Sequence, residues 1–453
     1  MYYNVLLQLL VLLYLSSVNI TNGDFIIDPQ LPRTGQEFGH RLLSSHGWLF
    51  IAERYADPEG YDQGGYIRIY DESLDLENIP PYQSLYEGTI PLSANDFGSS
   101  LILRDDMTLI VGASTFNEPG FADVGVVYIF NKVLNGQWEY TDIIHCPHQM
   151  ATVYFGDKIM YSGGQLFVSA YGRLTNSGAL YIFEQLDMNS PWTLVQTFLG
   201  TTAQDFFGYD FWVQNNEMVI CAHGSAIYGG AGRGYCKIYH KGIDGLWVFQ
   251  SDITPPSDRA TLHFGTSITM NHEHMFISMP GEFSGAAGTG AVASYRLDGT
   301  EWAHTYNIHP SSTGGATAFG NRMQIYNNDT LILGHHLNNQ GPATTGGRIY
   351  VYKYNTNIHA WKQYGDILAA PVPVTGGKFG VDFQMTDHGF FIGESGATVN
   401  GAASAGRTFF IAPPTSSPTD SPTLSPTNAP TDAPTNAPTN APTNAPTNAP
   451  TNA

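Results

Sequence analysis

The stretch Phe97-Gly98-Ser99-Ser100-Leu101-Ile102-Leu103 contains the pattern that decides the fold of this chain. An aromatic residue and a glycine are followed by bulky side chains at every second position, which favours a β-strand with one buried face. The Phe-Gly dipeptide recurs in steps of 59, 58, 52, 57, 55 and 60 residues. Its seven copies begin at Phe38, Phe97, Phe155, Phe207, Phe264, Phe319 and Phe379. Such regular spacing indicates a repeat architecture of seven units.

Each of the first six units contains signals for three further strands. In the second unit, an apolar run ending in small residues (109–114) leads through a Gly-containing loop to another apolar run (126–130). The turn Asn135-Gly136 favours a type I′ hairpin, and a run that begins at Trp138 follows it. Four antiparallel strands repeated radially form a propeller blade. The sequence therefore predicts an all-β, seven-bladed β-propeller.

The ends of the repeat region predict how the ring closes. The seventh unit has three strand signals and then reaches Pro413-Pro414 without a fourth. A spare apolar segment, Phe25-Ile26-Ile27, precedes the first Phe-Gly. We expect this N-terminal strand to complete the seventh blade, because a propeller must not leave an open strand edge.

The chain outside the repeats predicts export and a stalk. Residues 1–23 contain an apolar run that resembles a secretory signal peptide, so the propeller is expected to occupy residues 24–414. Residues 415–453 are Pro/Thr/Asn/Ala repeats without an aromatic residue, Lys or Arg, which predicts a disordered stalk suited to O-glycosylation. No membrane span is expected, and the protein is predicted to be secreted or held at the cell surface.

The seven units resemble FG-GAP repeats, the blades of the integrin α-subunit head, over residues 24–414. Calcium-binding blades of that family carry an Asp-x-Asp-x-Asp-Gly-x-x-Asp loop between the first two strands. The corresponding turns here, such as Asn327-Asn328-Asp329, lack that set of carboxylates. The resemblance therefore implies the short-turn, metal-free variety, and neither a metal nor a cofactor is expected.

Three cysteines and one sequon are candidate modification sites. Cys221 and Cys236 fall on the second and third strands of one unit, where either a disulfide or two buried thiols are compatible with the pattern, and Cys146 would stay free. Asn328 begins an Asn-Asp-Thr sequon on a predicted turn, so it is a candidate for N-glycosylation.

Charge and motifs narrow the function. The net charge of −20 disfavours nucleic acid as a partner. No Gly-x-Ser-x-Gly elbow, zinc helix or phosphate loop is present, so no catalytic residue is assigned and the protein is predicted not to be an enzyme.

The leading hypothesis is a monomeric extracellular adhesion or recognition module that binds a protein or glycan. The ligand is expected on the face where the loops between the second and third strands (B–C loops) and between successive blades (D–A loops) emerge. A propeller lectin and a secreted carbohydrate-active enzyme are the alternatives. The loops with the most suitable composition are residues 55–65, 116–124, 227–233, 283–289 and 337–345.

Overall fold

The computed structural model describes the propeller region of the chain. The described residues are 24–56, 64–73, 76, 80–86, 96–187, 190–227, 232–257, 259, 261–282, 290–311, 318–339, 343–387 and 389–412. The predicted signal peptide (1–23) and the predicted stalk (415–453) lie outside them.

Seven four-stranded antiparallel sheets make up the described structure, which confirms the predicted fold. The first blade contains β2 (Phe38–Ser45), β3 (Trp48–Glu53), β4 (Tyr66–Asp71) and β5 (Gln83–Tyr86). The second contains β6 (Phe97–Leu103), β7 (Thr108–Ala113), β8 (Val126–Lys132) and β9 (Trp138–His145). The third contains β10 (Ile159–Ser162), β11 (Gln165–Ser169), β12 (Ala179–Glu184) and β13 (Thr193–Leu199), with a short turn α1 (Arg173–Asn176) before β12.

The remaining blades follow the same order along the chain. The fourth contains β14 (Phe207–Gln214), β15 (Glu217–Ala222), β16 (Tyr235–Lys241) and β17 (Trp247–Ile253). The fifth contains β18 (Ile268–Met270), β19 (His274–Met279), β20 (Ala291–Asp298) and β21 (Glu301–Ile308). The sixth contains β22 (Arg322–Tyr326), β23 (Thr330–His335), β24 (Arg348–Asn355) and β25 (Ala360–Gln363). The seventh contains β26 (Phe379–Met385), β27 (Phe390–Glu394), β28 (Arg407–Ile411) and β1 (Phe25–Ile27).

The N-terminal strand closes the ring as predicted. β1 pairs antiparallel with β28, so that Phe25 lies opposite Phe410 and Ile27 lies opposite Thr408. The Phe25 and Phe410 rings stack with their centroids 4.6 Å apart. The first and last segments of the propeller thus share one sheet, which removes an open edge.

The Phe-Gly dipeptides lie at the seams between blades. All seven Phe side chains are at most 1% exposed, so each is a core residue. The glycine that follows has a φ between 79° and 92° in every blade, a conformation that residues with a Cβ rarely adopt. In the third, fifth and sixth blades the regular strand begins three or four residues after the Phe rather than at it. The dipeptide is therefore an entry turn to the first strand.

The core consists of apolar clusters between neighbouring sheets. One such cluster joins side chains of the second and third blades around Phe155, and another joins the fourth and fifth around Phe264. The packing of consecutive blades against each other is the arrangement expected of a radial repeat. The described residues contain no helix long and apolar enough to cross a bilayer.

Candidate binding site at the mouth of the central cavity

The first strands of all seven blades surround a central cavity of about 230 Å³. Each blade contributes the third residue after its Phe. These residues are Arg41, Ser100, Lys158, Asp210, Ser267, Arg322 and Asp382. The cavity wall is therefore polar and carries both signs of charge, although the surrounding blades are apolar inside.

Asp210 uses its carboxylate to join two blades. One oxygen accepts the backbone N–H of Phe211 at 2.8 Å, and the other accepts the N–H of Ile268 in the next blade at 2.9 Å. Lys158 of the preceding blade forms an ion pair with it. Burial lowers the pKa of Lys158, and Asp210 offsets part of that shift. A carboxylate with this many partners is part of the scaffold.

Asp382 repeats this arrangement where the seventh blade meets the first. Its oxygens accept the N–H groups of Phe383 and of Leu42, both at 2.9 Å. Arg322 of the sixth blade forms the ion pair. An Asp at the same position thus joins neighbouring blades twice, and the bond from Leu42 to Asp382 connects segments that lie 340 residues apart in the chain.

Asp157 differs from both of these carboxylates. It lines the cavity, and desolvation raises the pKa of its carboxyl to about 6. Arg41 opposes the rise, Asp96 adds to it, and a hydrogen bond with Ser114 opposes it. A carboxyl with this pKa exchanges a proton readily near neutral pH.

The mouth of the cavity is formed by the residues just before each Phe-Gly and just after each second strand. In six blades the residue before the Phe has a left-handed φ of 51° to 58°. These six residues are Glu37, Asp96, Tyr154, Phe206, His263 and Lys378. Five of these six residues donate their backbone N–H to a carbonyl in the B–C loop of the preceding blade. For example, the Phe206 N–H donates to the Asn176 carbonyl at 2.8 Å. The turn therefore fixes side chains at the mouth.

One half of the mouth is aromatic. We call Tyr154, Tyr171, Phe206, Tyr209, His223 and His263 the aromatic cluster. Tyr154 stacks on Tyr171 with centroids 5.1 Å apart, and Phe206 stacks on His223 at 5.0 Å. Tyr209 contacts both Tyr171 and His223, at 5.1 and 4.2 Å. All six side chains are partly exposed, in contrast to the buried Phe of each Phe-Gly.

The aromatic cluster is uncharged at neutral pH. Burial, followed by the neighbouring His263, lowers the pKa of His223 to about 4, and burial also lowers the pKa of His263. Burial, followed by Asp157, raises the pKa of Tyr209 to about 12 and raises that of Tyr171 as well. The cluster therefore presents neutral rings that carry hydroxyl and imidazole groups able to hydrogen bond.

The other half of the mouth is charged. We call Glu37, His40, Arg54, Asp96 and Lys378 the charged cluster. Arg54 lies 2.7 Å from the Asp96 carboxylate, and Lys378 lies 3.1 Å from Glu37. His40 lies 3.5 Å from Glu37, and burial holds the pKa of its imidazole well below the usual value. The mouth thus combines a neutral aromatic half with a half that contains two ion pairs and the imidazole of His40.

Two of the predicted cysteine positions lie in the fourth blade, and the third, Cys146, directly follows the last strand of the second blade. Cys221 and Cys236 are opposite each other on β15 and β16 and are joined by a disulfide. Cys146 is free and buried, and burial raises the pKa of its thiol to about 11. A thiol of that pKa is protonated at neutral pH and is a poor nucleophile.

The sequon residue Asn328 lies on the turn between β22 and β23 and is exposed. Its side-chain oxygen accepts a hydrogen bond from the Asn271 amide at 3.3 Å.

The predicted binding loops are described only in part. Residues 57–63, 228–231, 283–289 and 340–342 of those loops lie outside the described residues.

Sequence reasoning missed the residues that line the cavity and its mouth. The repeat itself offers a signal for them, because aligning the seven units on their Phe-Gly places the cavity residues at one position, three after the Phe, and mouth residues at another, one before it.

Within the described residues, no three His, Cys, Asp or Glu side chains converge as a metal site would require.

No family model matches the chain, and no curated protein matches it. Similar solved structures include a candidate 6-phosphogluconolactonase from Bacteroides uniformis, at 8% identity and a TM-score of 0.49, covering 75% of this chain and 86% of that one. A periplasmic gluconolactonase from Pseudomonas aeruginosa has 11% identity and a TM-score of 0.46, covering 76% of this chain and 88% of that one. Similarity this low does not transfer a reaction or a substrate.

One prediction from the sequence needs correction. The absence of catalytic motifs led to the prediction that the protein is not an enzyme. The prediction that excluded an enzyme was wrong, since both similar propellers are named as lactonases, which are hydrolases. The physical reason is that a propeller assembles cavity residues from separate blades, so its chemistry leaves no contiguous motif.

Proposed function

We propose that the protein is an extracellular recognition module that binds a glycan at the mouth of the central cavity. The observation that carries this proposal is the aromatic cluster, six partly exposed neutral rings held together on the face of the B–C and D–A loops. Rings with polar tips can pack against the C–H face of a sugar and hydrogen bond to its hydroxyls. The signal-like N-terminus, the Pro/Thr-rich stalk and the resemblance to FG-GAP blades support an extracellular role.

The geometry favours binding across the mouth rather than inside the cavity. The cavity of about 230 Å³ is smaller than the roughly 300–1,000 Å³ of common small-molecule sites. A glycan would therefore lie over the aromatic cluster and place one polar group towards Arg41 and Asp157. The charged cluster would offer donors and acceptors to the neighbouring sugar.

Binding of the full-length secreted protein to a glycan array, followed by calorimetric titration of the best ligand, tests this proposal. Tyr171→Ala should weaken binding about tenfold or more, because Tyr171 contacts Tyr154, Phe206 and Tyr209. Tyr140 is 52% exposed on the outer strand β9, so Tyr140→Ala is the matched control and should leave affinity unchanged. Equal losses in both variants, or no glycan binding at all, would contradict the proposal.

A second candidate function is hydrolysis of an ester or lactone bond in the bound ligand, and Asp157 is the observation that favours it. Asp210 and Asp382 are committed to backbone N–H groups and cations, whereas Asp157 has a pKa of about 6. As a general base it would take a proton from a water molecule that attacks the carbonyl carbon. The proton would pass to the leaving oxygen as the C–O bond breaks.

A screen of lactone and ester substrates with the full-length protein tests this second candidate. The rate should rise as the pH passes through about 6, because the base must be ionised. Asp157→Asn should lower the rate about 100-fold or more. Asp105 is outside the cavity, and Asp105→Asn should not change the rate. Hydrolysis that survives in Asp157→Asn would exclude this role.

A further inference from the structure

The face opposite the mouth contains a groove between the fourth and fifth blades. This turn-face groove has a volume of about 410 Å³ and lies where the A–B and C–D turns emerge. Its lining includes Gln214, Asn216, Glu217, His240, Lys241 and Trp302. The volume falls within the range of small-molecule sites, unlike that of the central cavity.

Trp302 is only partly buried in the groove, and we attribute this to one aromatic residue that is missing from the repeat. In the first, third and fifth blades the second strand carries a Phe whose ring contacts the Trp of the following blade. The pairs are Phe50 with Trp138, Phe167 with Trp247 and Phe276 with Trp361, with centroids 5.7, 5.7 and 5.2 Å apart. These three Trp side chains are only 1 to 4% exposed, so the Phe covers each of them.

The fourth blade has Val219 at this register. Val219 pairs with Trp212 in the first strand, as Phe50 pairs with Leu43 in the first blade. Trp302 packs against the core cluster that contains Val219 but remains partly exposed. The smaller valine therefore leaves one face of the indole uncovered and opens the groove.

Trp192 shows that exposure alone does not make a site. Its second-blade neighbour is the aliphatic Ile110, and it is also partly exposed. The Arg104 guanidinium lies 5.9 Å from its ring centroid, and Tyr161 contacts it edge-on at 6.4 Å. Within the described part of the chain, no ring and no cation covers Trp302 in this way.

The Trp302 indole is held in a fixed orientation. Its Nε1–H donates to the Glu217 carboxylate, and the other Glu217 oxygen lies 3.4 Å from His240 Nε2. Because the ring is already ordered, little conformational entropy is lost when a ligand packs on it. Gln214 and Asn216 also line the groove, and a side-chain amide offers both donors and an acceptor.

We propose that the turn-face groove is a second ligand site, which binds one neutral pyranose ring on Trp302. A pyranose presents a flat C–H face that matches the exposed indole, and its hydroxyls match the amides of Gln214 and Asn216. The Glu217 carboxylate is already engaged by Trp302 and His240, and the Lys241 ammonium lies 5.8 Å from the Trp247 ring centroid, so the anion and the cation of the lining both have partners already. This site is independent of the mouth.

Titration of the full-length protein with methyl glycosides of common neutral hexoses tests the site, with saturation-transfer NMR and Trp fluorescence as readouts. A saturable signal with a Kd of about 1 mM is expected. Val219→Phe restores the ring found in the first, third and fifth blades, and it should weaken binding about tenfold or more by covering Trp302. Trp302→Ala should do the same without adding volume to the core.

Two controls separate this site from the mouth and from misfolding. Tyr171→Ala should leave binding in the groove unchanged, so failure of the proposed function and failure of this inference can be told apart. Circular dichroism and thermal melting identify any variant that does not fold, and Trp302→Ala then decides the outcome if Val219→Phe is unstable. No saturable binding in the wild-type protein, or unchanged binding in a folded Trp302→Ala protein, would overturn the proposal.

Discussion

Glu53 and Glu394 occupy the same position of the first and seventh blades, yet their surroundings differ. Each lies opposite the Phe of its own Phe-Gly dipeptide, and each is at most 1% exposed. The Gln36 amide donates to Glu53 at 2.6 Å, and Arg68 forms an ion pair with it. Glu53 is therefore a buried carboxylate with a full set of partners.

The Glu394 carboxyl accepts no hydrogen bond from any described residue. Among the described residues the nearest cation is Arg407, 4.0 Å away, and Gly377 occupies the position that corresponds to Gln36. Burial raises the pKa of Glu394 to about 8, and Asp28 adds to the rise while Arg407 opposes it. The same residue type at the same repeat position is therefore part of an ion pair in one blade and a neutral acid in another.

The largest effect is expected from Glu53→Ala. The substitution leaves Arg68 and Gln36 without their buried partner, and the free energy of unfolding should fall by about 3–5 kcal/mol. Urea denaturation measures the change, and Glu139→Ala on the exposed face of β9 is the control. A loss below about 1 kcal/mol would show that Arg68 does not depend on Glu53.

Glu394→Gln should change how stability depends on pH. Because the folded state holds the proton more tightly than the unfolded state, stability is greatest below the ordinary Glu pKa of 4.5 and falls as the pH rises towards 8. The wild-type protein should lose about 3 kcal/mol between pH 5 and pH 8 through this group, and the variant should not. Denaturation midpoints at four pH values provide the test, and parallel curves for the two proteins would contradict it.

Gly377→Ala tests whether Glu394 needs the space that the glycine leaves. A Cβ at this position would lie 2.5 Å from the Glu394 Oε1 and 3.1 Å from the Val374 carbonyl oxygen. We expect a loss of about 1–2 kcal/mol, which should become smaller when Glu394→Ala is also present. The four proteins of this double-mutant cycle give the coupling energy by denaturation. Additive effects would mean that the two residues do not interact.

The smallest effect on stability is expected from Asp28→Asn. Asp28 lies 3.5 Å from Arg407 but is 45% exposed, so its loss should cost less than about 1 kcal/mol. The variant should still lower the pKa of Glu394, because the Asp28 charge raises it. The pH at which stability falls would then move downwards in the same denaturation series. An unmoved transition would show that Asp28 does not act on Glu394.

Much of the fold was predictable because its signals are local. A buried Phe and a glycine with positive φ are needed at every seam, so the Phe-Gly spacing marks each blade. The spare segment 25–27 predicted how the ring closes, because a seventh unit without a fourth strand must find one elsewhere.

The candidate site could be predicted only in part, because the repeat shows which positions recur in every blade but not which of their side chains converge. The rings of the aromatic cluster come from the third, fourth and fifth blades, and the central cavity takes one or more residues from each of the seven. No pair of these residues forms a sequence motif, and their proximity depends on the closed ring. The groove at Trp302 likewise depends on Val219, an apolar strand residue that no sequence pattern distinguishes from the other core residues.

The sequence by itself determined seven four-stranded blades and the closing strand, because strand alternation, tight turns and glycine conformation are set by neighbours in the chain. Only the tertiary structure decided which side chains face the cavity, which rings stay exposed and which buried carboxyl keeps its proton. Those properties depend on burial and on partners far apart in sequence, as in the bond between the Leu42 N–H and Asp382. The charge state and the exposure of these side chains therefore depend on the closed ring as well as on residue type.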